Sequence, residues 1–71
     1  MSITVVKAAF DKALARKATC ASATMQYVDG GRRQLVTFVL TNGEAVEFEA
    51  SAHDDLQALA REAGENYQQE G

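Results

Sequence analysis

The pair Asn42-Gly43 constrains this chain most, because it joins two stretches that both read as strands, Gln34 to Thr41 and Ala45 to Ala50. Both central positions of a type I′ turn need positive φ, which asparagine and glycine accept, so the pair predicts a two-residue hairpin. Such a turn fixes the register. It sets Val39 opposite Val46 and Thr37 opposite Phe48, and these residues form one apolar face with Leu35 and Ala50. The other face then carries Val36, Phe38 and Leu40 beside Ala45, Glu47 and Glu49. The two glutamates mark the last strand as an edge that meets water. The middle strand is apolar on both sides, so something must cover Val36, Phe38 and Leu40.

The rest of the chain supplies a helix, another strand and a second helix. Residues 4–19 place Val6, Phe10, Ala13, Leu14 and Lys17 at helical spacing. Five alanines between Ala8 and Ala18 favour the helix intrinsically. Ile3 to Val6 are all β-branched, and a short extended lead-in is the alternative to a helical start there. Thr24 to Val28 alternates as a strand that can bring Met25 and Tyr27 to the middle strand, and Asp29-Gly30-Gly31 is a turn signal. The second helix is expected from residue 52 to 63 or beyond. Ser51 is its N-cap, Asp54 completes a capping-box variant, and Leu56, Leu59, Ala60, Ala63 and Tyr67 form the inner face. Gly64 either ends or weakens this helix, and Glu65 to Gly71 is expected to fray. The predicted fold class is α+β, a single domain over residues 1–71: helix, three-stranded antiparallel β-meander, helix.

At 71 residues the core is thin, and a domain of this size often gains stability from a partner or from oligomerising. Cys20 is the only cysteine, which excludes an internal disulfide and fits a reducing compartment. Met1 to Lys7 does not read as a targeting segment. The longest apolar run, Leu35 to Leu40, is too short for a membrane helix. The expected location is therefore cytoplasmic or, for a virion component, in the particle. Charge is unevenly spread. Residues 1–33 hold six basic and two acidic side chains, whereas residues 34–71 hold one basic and eight acidic. Either the halves neutralise each other within one molecule or the subunit is a dipole suited to head-to-tail association.

No constellation for catalysis, metal or cofactor stands out, and the expectation is a non-enzyme without cofactor. His53, Asp54 and Asp55 are consecutive and point in different directions on a helix, so capping explains them better than a shared ion. Cys20 has only His53 as a conceivable base, with no local motif around the pair. Gly30-Gly31-Arg32-Arg33 lacks the spaced glycines and terminal Lys-Ser/Thr of a P-loop. Arg32 and Arg33 remain candidates for an acidic partner. Glu44, Glu47, Glu49, Asp54 and Asp55 are a solubilising surface or a mimic of nucleic-acid phosphates. A sequence pI of about 4.9 makes nucleic acid an unlikely ligand.

Thr37 to Glu62 resembles the phage lambda-type head–tail joining protein W family. The resemblance rests on Asn42-Gly43-Glu44-Ala45-Val46-Glu47-Phe48-Glu49-Ala50-Ser51, then Asp55-Leu56 and Leu59, with the alanine-rich first helix adding to it. Two features differ from the family: the strand-like insertion Thr24 to Arg33, and Gln68-Gln69-Glu70-Gly71 where members carry a basic tail. The resemblance implies a head-completion adaptor that binds as a ring beneath the portal and presents a surface to the tail. The rival expectation is a small phage-encoded inhibitor of a host defence complex, of the anti-CRISPR type. Either way the partner is a protein, with homo-oligomerisation possible. The candidate contact residues are Val36, Phe38, Leu40, Arg32, Arg33, Glu47 and Glu49.

Overall fold

A computed structural model describes residues 2–68. Helix α1 (Ile3–Leu14) starts where the Ser2 hydroxyl accepts the Thr4 N–H, and it buries Val6, Phe10 and Leu14. Ile3 to Val6 are therefore helical. The helix stops five residues earlier than the alanine content suggests, with Ala15 at φ 55°. Three strands follow, β1 (Cys20–Val28), β2 (Arg33–Leu40) and β3 (Ala45–Ser51), and then helix α2 (Leu56–Asn66). The strands form one antiparallel sheet in the order β1-β2-β3. The fold is α+β, as expected.

The second helix begins later than expected. The Asp55 carboxylate, not Ser51, accepts the N–H groups of Gln57 and Ala58. Ser51 and Asp54 do pair reciprocally, through Ser51 N–H to the Asp54 carboxylate and Asp54 N–H to the Ser51 carbonyl, while the Ser51 hydroxyl accepts the His53 N–H. That pairing closes the turn before the helix. Gly64 lies inside α2, buried. The tail expected to fray is anchored at least to Tyr67, which is buried. Residues 69–71 lie outside the described residues.

The β2–β3 turn has one more residue than a type I′ turn. Leu40 N–H donates to the Glu44 carbonyl at 2.8 Å, and Gly43 N–H donates back to the Leu40 carbonyl at 3.1 Å. Gly43 sits at φ 90°, while Asn42 is not among the positive-φ residues. This is a three-residue loop ending in a left-handed glycine, the G1-bulge solution. The Asn42 side-chain oxygen accepts the Glu44 N–H and holds the loop.

One extra loop residue moves the pairing by one position and turns β3 over relative to the expected register. Val36 now faces Phe48, Phe38 faces Val46, and Thr37 faces Glu47. This corrects the expected contact surface. Val36, Phe38 and Leu40 share a face with Val46, Phe48 and Ala50, and both helices pack on that face. Val36 and Phe38 are fully buried and Leu40 nearly so, in one cluster with Val6, Phe10, Leu14, Leu56 and Ala60. These three side chains are core and not a docking surface. The cover their exposure required is α1, whose Phe10 ring stacks on Phe38. Met25 also packs against this cluster, as foreseen, whereas Tyr27 stays 66 % exposed.

Candidate functional site: the sheet face without a helix

The register leaves the opposite face of the sheet with no described element above it. It is built of four cross-strand rows: Ser22, Val39 and Ala45; Thr24, Thr37 and Glu47; Gln26, Leu35 and Glu49; Val28, Arg33 and Ser51. Antiparallel sheets commonly pack one face and expose the other. Here the exposed face is not uniformly polar. Val39 is 41 % exposed, and Leu35, Thr37 and Val28 are half-buried among their neighbours. The middle strand thus carries an apolar strip. An uncharged strand of hydroxyl and amide side chains flanks it on one side, and the carboxylates of Glu47 and Glu49 flank it on the other.

Of the sequence candidates, Arg33, Glu47 and Glu49 come together on this face. The Arg33 guanidinium meets the Glu49 carboxylate at 2.7 Å, the one ion pair among the described residues. Both side chains are about half exposed, so the pair adds little stability and is open to exchange for a partner. Arg32 is not on the face. Its N–H closes the Asp29–Gly31 turn on the Asp29 carbonyl, and its side chain is exposed at that tip. Leu35 and Val39 were missed as contact residues because the expected register placed them on the apolar face with Val46 and Phe48.

The two charged halves meet in another way as well. Lys17 Nζ donates to the carbonyls of Gly64, Glu65 and Tyr67, each at 3.0 Å. A cation there satisfies carbonyls at the end of α2 and suits the negative end of the helix dipole.

The residues weighed for chemistry lie apart. Cys20 pairs with Leu40 at one end of the sheet, whereas His53 follows Ser51 at the other. Cys20 is buried, and burial pushes its thiol pKa up; Lys7 opposes that shift less strongly. The thiol donates to the Ser22 carbonyl, and the Cys20 N–H donates to the Asp11 carboxylate. Among the described residues, no group of three or more His, Cys, Asp or Glu side chains is placed to hold a metal ion.

Other concavities lie outside the bare face. A groove of about 570 Å³ runs between the outer sides of α1 and α2, floored by Ala8, Ala9 and Ala13 and rimmed by Lys12, Gln57 and Arg61. A smaller hollow of about 240 Å³ lies between Met25, Tyr27, Gln34 and Leu56. No described helix is long and apolar enough to cross a membrane.

Comparison with models of protein families, with curated proteins and with solved structures gives no match for this chain.

Proposed function

We propose that this chain is a small non-catalytic protein-binding module that docks through its bare sheet face, and that it serves as a phage head–tail joining adaptor. The observation that carries the binding role is the one-sided packing of the sheet. Both helices cover the Phe38 face, leaving Leu35, Thr37 and Val39 as an apolar strip with Glu47 and Glu49 along one rim. A partner that fits has an apolar ridge with basic side chains beside it. The adaptor role rests on the resemblance of Thr37 to Glu62, whose residues form a glycine-turned hairpin leading into a capped helix here.

The test measures binding of the purified chain to assembled portal rings and to tail proteins encoded beside it. Leu35→Asp with Val39→Asp should abolish binding while circular dichroism and the melting transition stay those of a folded domain. Glu47→Lys should weaken binding in a salt-dependent way. If the wild-type chain binds neither portal nor tail, the adaptor reading fails.

The second reading is an inhibitor of a host defence complex, supported by the carboxylates of β3 and α2. Glu49 and Glu62 line one groove with Phe48 and Leu59, and Glu47, Asp54, Asp55 and Glu65 are exposed. That arrangement suits a basic groove on an effector. Relief of interference by the chain in cells, without any portal binding, decides for it.

A further inference from the structure

The sheet has two edges of different character. Edge β3 carries Glu47 and Glu49, the charge pattern that discourages further strand pairing. Edge β1, Cys-Ala-Ser-Ala-Thr-Met-Gln-Tyr-Val, contains no charged residue and no proline over nine positions. An edge of that length and composition is a template for another strand.

The hydrogen-bond parity shows which groups are available. Leu40 bonds Glu44 across the β2–β3 ladder, so Val36 and Phe38 also point their backbone groups at β3. Leu35, Thr37 and Val39 then point theirs at β1, engaging Gln26, Thr24 and Ser22. The N–H and C=O groups of Ala23, Met25 and Tyr27 therefore face outward. Toward the start of the strand the edge is already closed, because Asp11 takes the Cys20 N–H and the pairing is bulged between Cys20 and Ser22. The open stretch is centred on Met25.

We propose that the occupant of this edge is a second copy of the chain, paired antiparallel through β1 about a two-fold axis at Met25. Ala23 pairs with Tyr27 of the second copy, Met25 with Met25, and Tyr27 with Ala23. Each pair joins residues whose free backbone groups face each other. The arrangement is self-complementary, as a closed two-fold interface requires. It sets no charge against a like charge, whereas pairing β3 with itself would appose glutamates. Tyr27, 66 % exposed on the edge, gains cover over the small Ala23 of the second copy. At the same end of the sheet, the buried side-chain oxygen of Gln34 has no hydrogen-bond partner among the described residues, and it lines the hollow beside Met25 and Tyr27.

The dimer deepens the docking role proposed above and rests on it for its purpose. Strands spaced by ~4.8 Å and rising ~3.4 Å per residue make one bare face about 350 Å². Stable complexes bury ~800 Å² of accessible surface per partner, and a platform of three short strands is small for that. Pairing β1 with β1 joins two such faces into one six-stranded surface and doubles the platform.

The experiment is sedimentation velocity across micromolar to millimolar concentration, together with hydrogen exchange followed residue by residue. The 7.7 kDa chain should pass to a species of twice that mass as concentration rises. The amides of Ala23, Met25 and Tyr27 should become protected in step with it, while those of Thr24 and Gln26 are protected throughout. Met25→Pro removes an outward N–H and no β1–β2 bond, and edge strands accept proline. It should weaken dimerisation at least tenfold with the fold retained. Thr24→Lys with Gln26→Lys, both on exposed positions, should weaken it at low salt and recover at high salt. A monomer at millimolar concentration overturns the proposal. So does a larger ring, a dimer whose three outward amides exchange freely, or a Met25→Pro variant that dimerises as the wild type does. Loss of portal binding in Leu35→Asp, Val39→Asp with dimerisation intact separates the docking reading from this one.

Discussion

The rings of Phe10 and Phe38 lie face on face, with centroids 4.0 Å apart and planes within 4°. This contact ties α1 to the middle strand, and Phe48 of β3 packs at an angle against the same Phe38 ring. A domain of this length has roughly 7 kcal/mol of stability at ~0.1 kcal/mol per residue. Truncating a fully buried phenylalanine costs about 3–5 kcal/mol. Phe38→Ala should therefore lose most of the stability, and Phe38→Asp should not fold at all. Urea unfolding followed by circular dichroism measures both. Val39→Asp, the next residue but on the bare face, should stay folded and lose only about 1 kcal/mol, the span of strand preference between valine and aspartate. A Phe38→Asp chain that folds would overturn the assignment of that face as core.

Gly64 marks the closest approach of the helices. A β-carbon there would stand 2.7 Å from the Phe10 carbonyl oxygen and 2.7 Å from the Ala13 β-carbon. In an exposed helix, replacing glycine by alanine gains about 1 kcal/mol. Here the added methyl must push α1 and α2 apart, and overpacking of this kind costs about 1–3 kcal/mol. Gly64→Ala should therefore lower the melting temperature. A rise would show that the helices part without cost.

How legible was this fold from the residues? Strands β2 and β3, the places of the turns between strands and the inner residues Val6, Phe10 and Leu14 of α1 followed from spacing and turn residues. The register did not, because Asn-Gly suits both a two-residue I′ loop and a three-residue loop with the glycine left-handed. Nothing local separates them, yet they differ by one position and so exchange the two faces. That ambiguity put Leu35 and Val39 inside and Val36, Phe38 and Leu40 outside. The extension of β1 back to Cys20 was equally hidden, since Cys-Ala-Ser-Ala has no period. Pairing with Leu40 and Val39 defines it. Ser51 with Asp54 reads as a helix cap although the same two bonds close a turn. Of the candidate site, the charged members Arg33, Glu47 and Glu49 were legible, and its apolar centre was not.

The ammonium of Lys17 stands on three carbonyls at the end of α2. Helical spacing puts Lys17 on the apolar stripe of a longer first helix. The helix ends before it, freeing the side chain to reach across. Lys17→Met keeps the aliphatic stem and removes the charge. The loss expected is about 0.3–1 kcal/mol, shrinking in high salt as dipole interactions do. Thermal melts at low and high salt check it, and equal melts at low salt would remove the cap.

Ala15 carries φ 55° and ψ −119° at the end of α1, a region that residues with a β-carbon rarely occupy. Such positions cost about 1–3 kcal/mol unless the residue is glycine. Ala15 is exposed, so a glycine there loses no packing. Glycine also loosens the unfolded chain, which takes back ~0.4–1 kcal/mol. Ala15→Gly should raise stability by about 1 kcal/mol net. A destabilised variant would show that the chain leaves α1 by another route.

Tyr67 fastens the end of the chain to the β2–β3 loop. Its hydroxyl donates to the Glu44 carboxylate and accepts from the Asn42 side-chain nitrogen at 3.1 Å. The bond to Glu44 pushes the phenol pKa above its ordinary value, and the bond from Asn42 pulls it back less strongly. The folded state thus holds this proton more tightly than the unfolded chain does. The stability it contributes is complete below the ordinary tyrosine pKa of about 10 and is lost as pH rises through the folded value. Cys20, also raised, acts in the same direction from its ordinary 9.0 upward, so the wild-type curve alone mixes the two. Tyr67→Phe separates them by keeping the ring and removing the proton. It should melt lower than the wild type at neutral pH, and the gap should narrow as alkaline pH strips the wild-type hydroxyl. Melting temperatures of both proteins from neutral to strongly alkaline pH provide the measurement. Parallel curves would mean that the Tyr67 hydroxyl does not hold the loop.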